Sequence, residues 1–197
     1  MNRLSILFIL VFTLVIPYTN NYAANLNKTV IGFNIGYANG FAAEDNVDIP
    51  STFSRNVKSG NINFGGFIGY DFGLSQLFSI GPEIGINYTP DIYQLSINVL
   101  SGNVGSFTRK YSTLNIPFLL TLKALTPTGI NFFIKGGVNY QGVFSKLSSC
   151  NSGTLAATFC DAQKSSYGSN WRFVFAGGVG YQLDSFNLFI QYMYIFG

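Results

Sequence analysis

The chain has 197 residues, enough for one domain, and only 10% of them are charged whereas 17% are aromatic. The formal net charge of +3 is not gathered into a basic cluster, so nothing indicates a nucleic-acid partner. The sequence contains no histidine, which removes the usual general base at neutral pH and the usual ligand of zinc. We therefore expect no enzymatic activity, no metal site and no cofactor.

The N-terminus has the pattern of a secretory signal peptide. Arg3 supplies the positive start, residues 4–16 are apolar, and the small residue Ala24 suits a cleavage site. The pattern predicts a signal peptide over residues 1–23 and one mature domain over residues 24–197. An uncleaved membrane anchor is the alternative.

Seven stretches of the mature chain alternate apolar residues with small or polar ones. Because successive side chains of a strand point to opposite faces, each stretch predicts a strand with one apolar and one polar face. The predicted strands cover about residues 29–41, 61–72, 77–88, 109–124, 130–141, 170–183 and 187–196.

The hairpin over residues 61–88 shows the alternation most clearly. One face of its first strand is apolar and carries Ile62, Phe64, Ile68, Tyr70 and Phe72. The other face is mostly small or polar and carries Asn61, Asn63, Gly65, Phe67, Gly69 and Asp71. A soluble β-sandwich would turn the apolar face inward. Strands of about 11 residues, aromatic ends and a small polar face instead favour a transmembrane hairpin with its apolar face toward lipid.

Short and long connections alternate along the chain. Outer-membrane barrels show this alternation, with short periplasmic turns and long extracellular loops. The short connections are 73–76, 125–129 and 184–185, and the long ones are 42–60, 89–107 and 142–169. Residues 92–100 also alternate, and we interpret them as a ribbon that continues the strands above the membrane. The alternative, an additional wall strand, would place the last long loop on the periplasmic side.

The mature chain resembles the small eight-stranded outer-membrane barrels of Gram-negative bacteria, the opacity-protein-like and OmpA/OmpX-like β-barrel domains. The resemblance rests on the strand endings GGFIGYDFG (65–73) and GGVGYQL (177–183), the short turns after them and the signal peptide. It implies an all-β, antiparallel up-and-down transmembrane β-barrel in the cell outer membrane, surrounded by outer-membrane lipid and related to the porins.

The count of strands departs from that family. We predict seven, whereas single-chain bacterial barrels have an even number, and unpaired strand edges are costly in hydrocarbon. Three explanations are open: the chain lacks its last strand, one wall strand is not recognised, or a partner supplies a strand. We favour a missing last strand.

Five charged residues fall on the inward face of the predicted strands, and we call them the lumen charge network: Asp71, Glu83, Lys123, Lys135 and Arg172. Glu83 and Lys135 lie at similar heights above their turns, so we expect an ion pair between them. An eight-stranded lumen is just wide enough to be filled by side chains. The pair is then either a static bridge that fills the lumen or the gate of a narrow nonspecific pore.

The remaining candidates lie in the loops. Because a secreted protein meets an oxidising compartment, Cys150 and Cys160 predict a disulfide that closes a small loop, and two free thiols are the alternative. Binding residues of rigid scaffolds are often found on loops. We therefore expect a structural or adhesion-like role at the cell surface, through a host or surface ligand, with the narrow pore as the alternative.

Overall fold

The computed structural model describes residues 9–17, 27–39, 53–99, 106–151, 166–183 and 186–196. These ranges form nine strands: β1 (Ile9–Pro17), β2 (Lys28–Ala38), β3 (Phe53–Ser59), β4 (Asn61–Gly73), β5 (Phe78–Val99), β6 (Ser106–Leu125), β7 (Ile130–Asn151), β8 (Ser166–Leu183) and β9 (Phe186–Ile195). No helix within the described ranges is long and apolar enough to cross a membrane.

Eight of these strands close into a barrel. Their order is β5-β4-β2-β1-β9-β8-β7-β6, and β6 pairs again with β5. Every pairing is antiparallel. Closure leaves the wall no free edge, so its backbone groups are paired within the protein, as a lipid environment requires. The predicted antiparallel up-and-down barrel is confirmed.

The seven predicted strands correspond to β2 and β4 to β9, and β1 supplies the eighth strand of the wall. It pairs with β2 from Ile9↔Ala38 to Pro17↔Val30 and with β9 from Val11↔Gln191 to Val15↔Asn187. The expected gap between β2 and β9 is thus filled in the described chain, and the count of seven is corrected to eight. This strand was not predicted from the sequence, because the same apolar residues have the pattern of a signal peptide. Removal of residues 1–23 stays a prediction.

The two faces of the wall differ as the alternation predicts. The outward residues are apolar and exposed, as Phe33 (67%) and Phe173 (72%) illustrate, whereas the inward residues Asn63 (1%) and Asp71 (4%) are buried. A soluble sandwich would bury the apolar face instead. The exposed apolar band therefore faces lipid.

The strands β5, β6 and β7 continue beyond the length that a bilayer requires. They have 22, 20 and 22 residues, against about 9–11 for a transmembrane strand. The pairing of β5 with β6 shifts register between Thr89 and Tyr93 and then continues to Asn98↔Ser106. The prediction that residues 92–100 extend a ribbon is confirmed as far as Val99, the last described residue of β5.

Strand β3 lies alongside that extension, from Phe53↔Val99 to Ser59↔Tyr93. It falls within the connection 42–60, which the sequence presented as a polar loop. Its segment, FSRNVKS, has no continuous apolar face because it lies beside the extension of β5 rather than in the lipid-facing wall. We call the end of the barrel with this extension the loop end and the opposite end, with the short turns, the turn end. Because outer-membrane barrels have short periplasmic turns, we expect the turn end to face the periplasm.

Candidate functional site

The interior of the barrel holds a buried ion pair. The Nζ atom of Lys135, on β7, lies 2.7 and 2.8 Å from the two carboxylate oxygens of Glu83, on β5. Their side chains are only 3% and 10% exposed. Each strand sends alternate residues inward, and β6 alone separates the two strands. The structure therefore brings together the two residues for which the sequence indicated an ion pair.

Three phenylalanine rings surround the ammonium group of this pair. Nζ of Lys135 lies 5.0 Å from the ring centroid of Phe67, 5.2 Å from that of Phe133 and 5.4 Å from that of Phe189. The negative face of an aromatic ring attracts a cation at such distances. We call Glu83, Lys135 and these three rings the plug, because together they fill the lumen at this level.

A second ion pair lies nearer the turn end. Nζ of Lys123 is 2.7 Å from Oδ2 of Asp71, whose side chain is 5% exposed while that of Lys123 is 25% exposed. Lys28 is the register partner of Asp71 on the neighbouring strand. Among the described residues, Lys28 forms no ion pair within 4 Å, whereas the Asp71 carboxylate bonds to Lys123.

Sequence reasoning missed Lys28. The first predicted strand began at residue 29, one position too late, although Lys28 has the inward parity of Gly32 and Asn34. It also missed the inward position of Phe133 and Phe189. The alternation of side chains along a strand could have revealed these inward positions, since Phe133 lies two residues from Lys135 on the same face.

A cavity of about 210 Å³ lies between the plug and the turn end, and we call it the vestibule. Its inner end is formed by the three rings of the plug, and its walls include Lys28, Asp71 and Lys123. Residues of the turn after β4, among them Ser75 and Gln76, line its other end and are exposed. The vestibule therefore opens toward the periplasm.

Uncharged polar side chains fill the lumen on the loop-end side of the plug. The amide of Asn63 donates to Thr89 Oγ1 at 2.9 Å, and that of Asn139 donates to Asn115 Oδ1 at 3.0 Å. All four side chains are buried. Arg172 is opposite Asn139 in the pairing of β7 with β8. In the described part of the chain it forms no ion pair, and its Nε is buried without a hydrogen-bond partner, so the structure does not bring Arg172 into contact with the other four members of the lumen charge network.

An apolar cluster completes the filling of the lumen. It extends from Ala176, the register partner of Lys135, to Ala38 at the loop end of β2. Its members are buried to 6% exposure or less: Ala38, Ile92, Tyr93, Leu119, Val174, Ala176, Met193 and Ile195. Next to Ile92 and Tyr93 of this cluster, Lys110 Nζ lies 2.7 Å from Asp91 Oδ2 and ties β6 to β5 at the base of the extension.

Two further predictions concern the disulfide and the absence of a metal site. Cys160 and the side chain of Cys150 lie outside the described residues, so the disulfide stays a prediction. No group of three potential metal ligands occurs in the described ranges.

The comparisons with known proteins concern most of the chain. The family model for the outer membrane protein beta-barrel domain matches residues 21–197. A search of curated proteins finds no match. A solved structure that matches is a major outer membrane protein from Thermus thermophilus, with a TM-score of 0.43 and 12% identity over 96% of this chain and 99% of that chain. Because the family match covers most of the sequence and the described strands close into a barrel with an apolar outer face, the chain belongs to the outer membrane protein beta-barrel domain family and is an outer-membrane protein.

Proposed function

We propose that this protein is a closed outer-membrane scaffold that presents a contact sheet to a host or surface ligand. The contact sheet consists of β3 and the loop-end segments of β5, β6 and β7, over residues 53–59, 93–99, 106–111 and 145–151. The observation that carries the proposal is that these strands continue their antiparallel pairing beyond the wall, with one register shift between Thr108 and Arg109. A membrane anchor alone would not require this extension.

The reach of the contact sheet follows from strand geometry. The contact sheet takes seven residues from β5 and seven from β7. At about 3.3 Å per residue they extend roughly 23 Å. The contact sheet is therefore placed to meet molecules outside the membrane while remaining continuous with the wall.

The edge of the contact sheet supports a binding role. Among the described strands, β3 pairs only with β5, so its other side offers unpaired backbone groups to an added strand. The side chains of Asn56, Val57 and Lys58 on this strand are exposed. An extended ligand segment would find both backbone hydrogen bonds and varied side chains there.

The filled lumen argues against the alternative, a narrow nonspecific pore gated by Glu83 and Lys135. The vestibule does reach this pair from the turn end, as a pore would require. Beyond the pair, however, lie the buried amides and the apolar cluster, so separating the two charges leaves the rest of the lumen filled. We propose no catalytic role, because the chain has no histidine and the buried carboxylates of the described strands, those of Asp71 and Glu83, are engaged by lysines.

A register-matched deletion tests the proposal. Gln94 and Lys110 are directly opposite each other, so residues 95–109 can be replaced by Asn-Gly, the dipeptide that suits a two-residue hairpin. We expect Gram-negative cells that display this variant to lose adhesion to wells coated with collagen, laminin or fibronectin, down to the level of cells with an empty vector. The wall should keep its heat-modifiable gel migration.

A matched control preserves the length of the extension. Lys28→Gln, at the turn end, keeps β5 and β6 full-length and leaves every residue of the contact sheet in place, so it should preserve adhesion. Adhesion by the deletion variant equal to that of the unaltered protein would overturn the proposal. Swelling of liposomes that contain the unaltered protein, in an isosmotic sugar solution, would instead support the pore.

A further inference from the structure

The vestibule combines an apolar end with an excess of positive charge. Three lysines, Lys28, Lys123 and Lys135, line it together with two carboxylates, those of Asp71 and Glu83. Glu83 bonds to Lys135 and Asp71 bonds to Lys123. The formal excess is therefore one positive charge, and among the described residues it resides on Lys28.

The position of Lys28 places this excess positive charge where an anion can bind. Lys28 is the register partner of Asp71, Asp71 bonds to Lys123, and both lysines line the vestibule. An anion placed between Lys28 and Lys123 would restore charge balance in a site partly screened from water. Clefts with one sign of excess charge and low-dielectric walls raise the local concentration of the opposite ion.

The lining opposite these lysines is apolar. Phe67, Phe133 and Phe189 form the inner end of the vestibule, and Val30 and Leu125 contribute to its walls. An inorganic anion would leave these surfaces without a partner. A volume of about 210 Å³ lies below the range of roughly 300–1,000 Å³ that suits drug-sized ligands, so the occupant is small.

We propose that the vestibule binds a small carboxylate with an apolar or aromatic body from the periplasmic side. The carboxylate lies between Lys28 and Lys123, and the apolar body packs against the three phenylalanines. This site is independent of the contact sheet, since it lies at the opposite end of the barrel and uses other residues.

Benzoate is the probe, and the test uses the refolded full-length chain in detergent micelles at constant ionic strength. Titrations are followed by backbone amide shifts in NMR spectra, with benzyl alcohol, benzylammonium, acetate and phosphate as comparisons. We expect saturable shifts for benzoate at Gly73, Ser79 and Asn131, which line the vestibule. Benzyl alcohol has the same ring without the charge and reports partition into the micelle.

The variants separate charge from fold. Lys28→Gln should weaken benzoate binding roughly tenfold, since a hydrogen bond to a charged group contributes about 1.5 kcal/mol or more, whereas Lys28→Arg should retain it. Asp71→Asn leaves two unpaired lysines and should tighten binding, a change in the opposite direction from simple damage to the fold. Lys110→Gln, at the loop end, is the matched control and should leave binding unchanged.

Several results would overturn the assignment. Equal saturable shifts with benzylammonium would show that charge is not read, and unchanged binding by Lys28→Gln would remove the proposed anion contact. Phosphate or acetate binding as tightly as benzoate would show that the apolar end takes no part. Shifts that follow benzyl alcohol alone would indicate partition into the micelle rather than a site.

Discussion

At the scale of single residues, the stability of the barrel interior depends on the groups that compensate the buried charge of Lys135. Its ammonium meets one carboxylate and three aromatic rings while the side chain is 3% exposed. Removing one partner of a buried pair leaves the other charge uncompensated, at a cost of about 3–5 kcal/mol, whereas removing both costs less than the two single changes together.

We therefore predict that Glu83→Ala and Lys135→Ala each lower the free energy of unfolding by about 3 kcal/mol, and that the double variant recovers part of that loss. Urea unfolding in phospholipid vesicles measures these values. Because the amides and the apolar cluster remain above the pair, the single-channel conductance of the double variant in planar bilayers should stay at the baseline. A conductance step that only the double variant shows would establish the gate instead.

The alternation of inward and outward side chains along a strand explains which contacts of this site could be predicted from the sequence. Glu83 and Lys135 could be paired from their heights above the turns, because strand rise and alternation are regular. Lys28 was not predicted to belong to β2 because the ends of strands are the least regular part of the alternating pattern. The contacts of Phe67 and Phe189 with Lys135 could not be predicted, because packing across a lumen joins strands that are not neighbours and no local pattern records such contacts. Phe133 could have been recognised, since it lies two residues from Lys135 on the same face.

At the scale of the strand, adjacent glycines of β7 occupy opposite environments. A Cβ added at Gly136 would meet nothing within 4 Å, whereas one added at Gly137 would collide with the backbone carbonyl of Phe118 on β6. The backbone of a neighbouring strand cannot move aside without disturbing its ladder. Gly137 therefore permits an approach of β6 to β7 that no other residue allows.

We predict that Gly137→Ala lowers the free energy of unfolding by about 1–3 kcal/mol through this overpacking, while Gly136→Ala, its matched control, changes it by less than about 0.5 kcal/mol. Guanidinium unfolding followed by tryptophan fluorescence of Trp171 can measure both. Equal losses for the two variants would contradict the steric explanation.

Apart from β1, strand-level prediction succeeded where one face meets lipid and failed where neither does. The seven predicted strands were recoverable because their apolar faces lie against hydrocarbon. Strand β3 had no such signal, and its pairing with β5 depends on backbone hydrogen bonds that any sequence can form. The ribbon over residues 92–99 was recoverable because its own alternation and the alternation of loop lengths agreed.

At the scale of the whole molecule, closure of the barrel involves the N-terminal segment. Strand β1 pairs with both β2 and β9, yet it consists of residues that also fit the apolar region of a signal peptide. Sequence alone could not reveal this second role, because an apolar run suits export and a lipid-exposed strand alike.

We predict that the protein extracted from outer membranes begins near Ala24, as the signal-peptide pattern indicates. The intact mass of the purified protein measures this directly. A processed chain would leave β2 and β9 to pair with each other or with another strand. An intact mass that includes Met1 would instead mean that Ile9–Pro17 remains as the eighth strand.

The continuity of β5 and β6 across the membrane boundary has a mechanical consequence. A force applied at the tip of the contact sheet acts along these strands, while the hydrogen bonds of their ladder lie perpendicular to them. The ladder is therefore loaded in shear, so that many bonds share the load at once instead of opening one after another. An attachment held by the contact sheet would resist pulling from the cell surface through the whole length of the barrel wall.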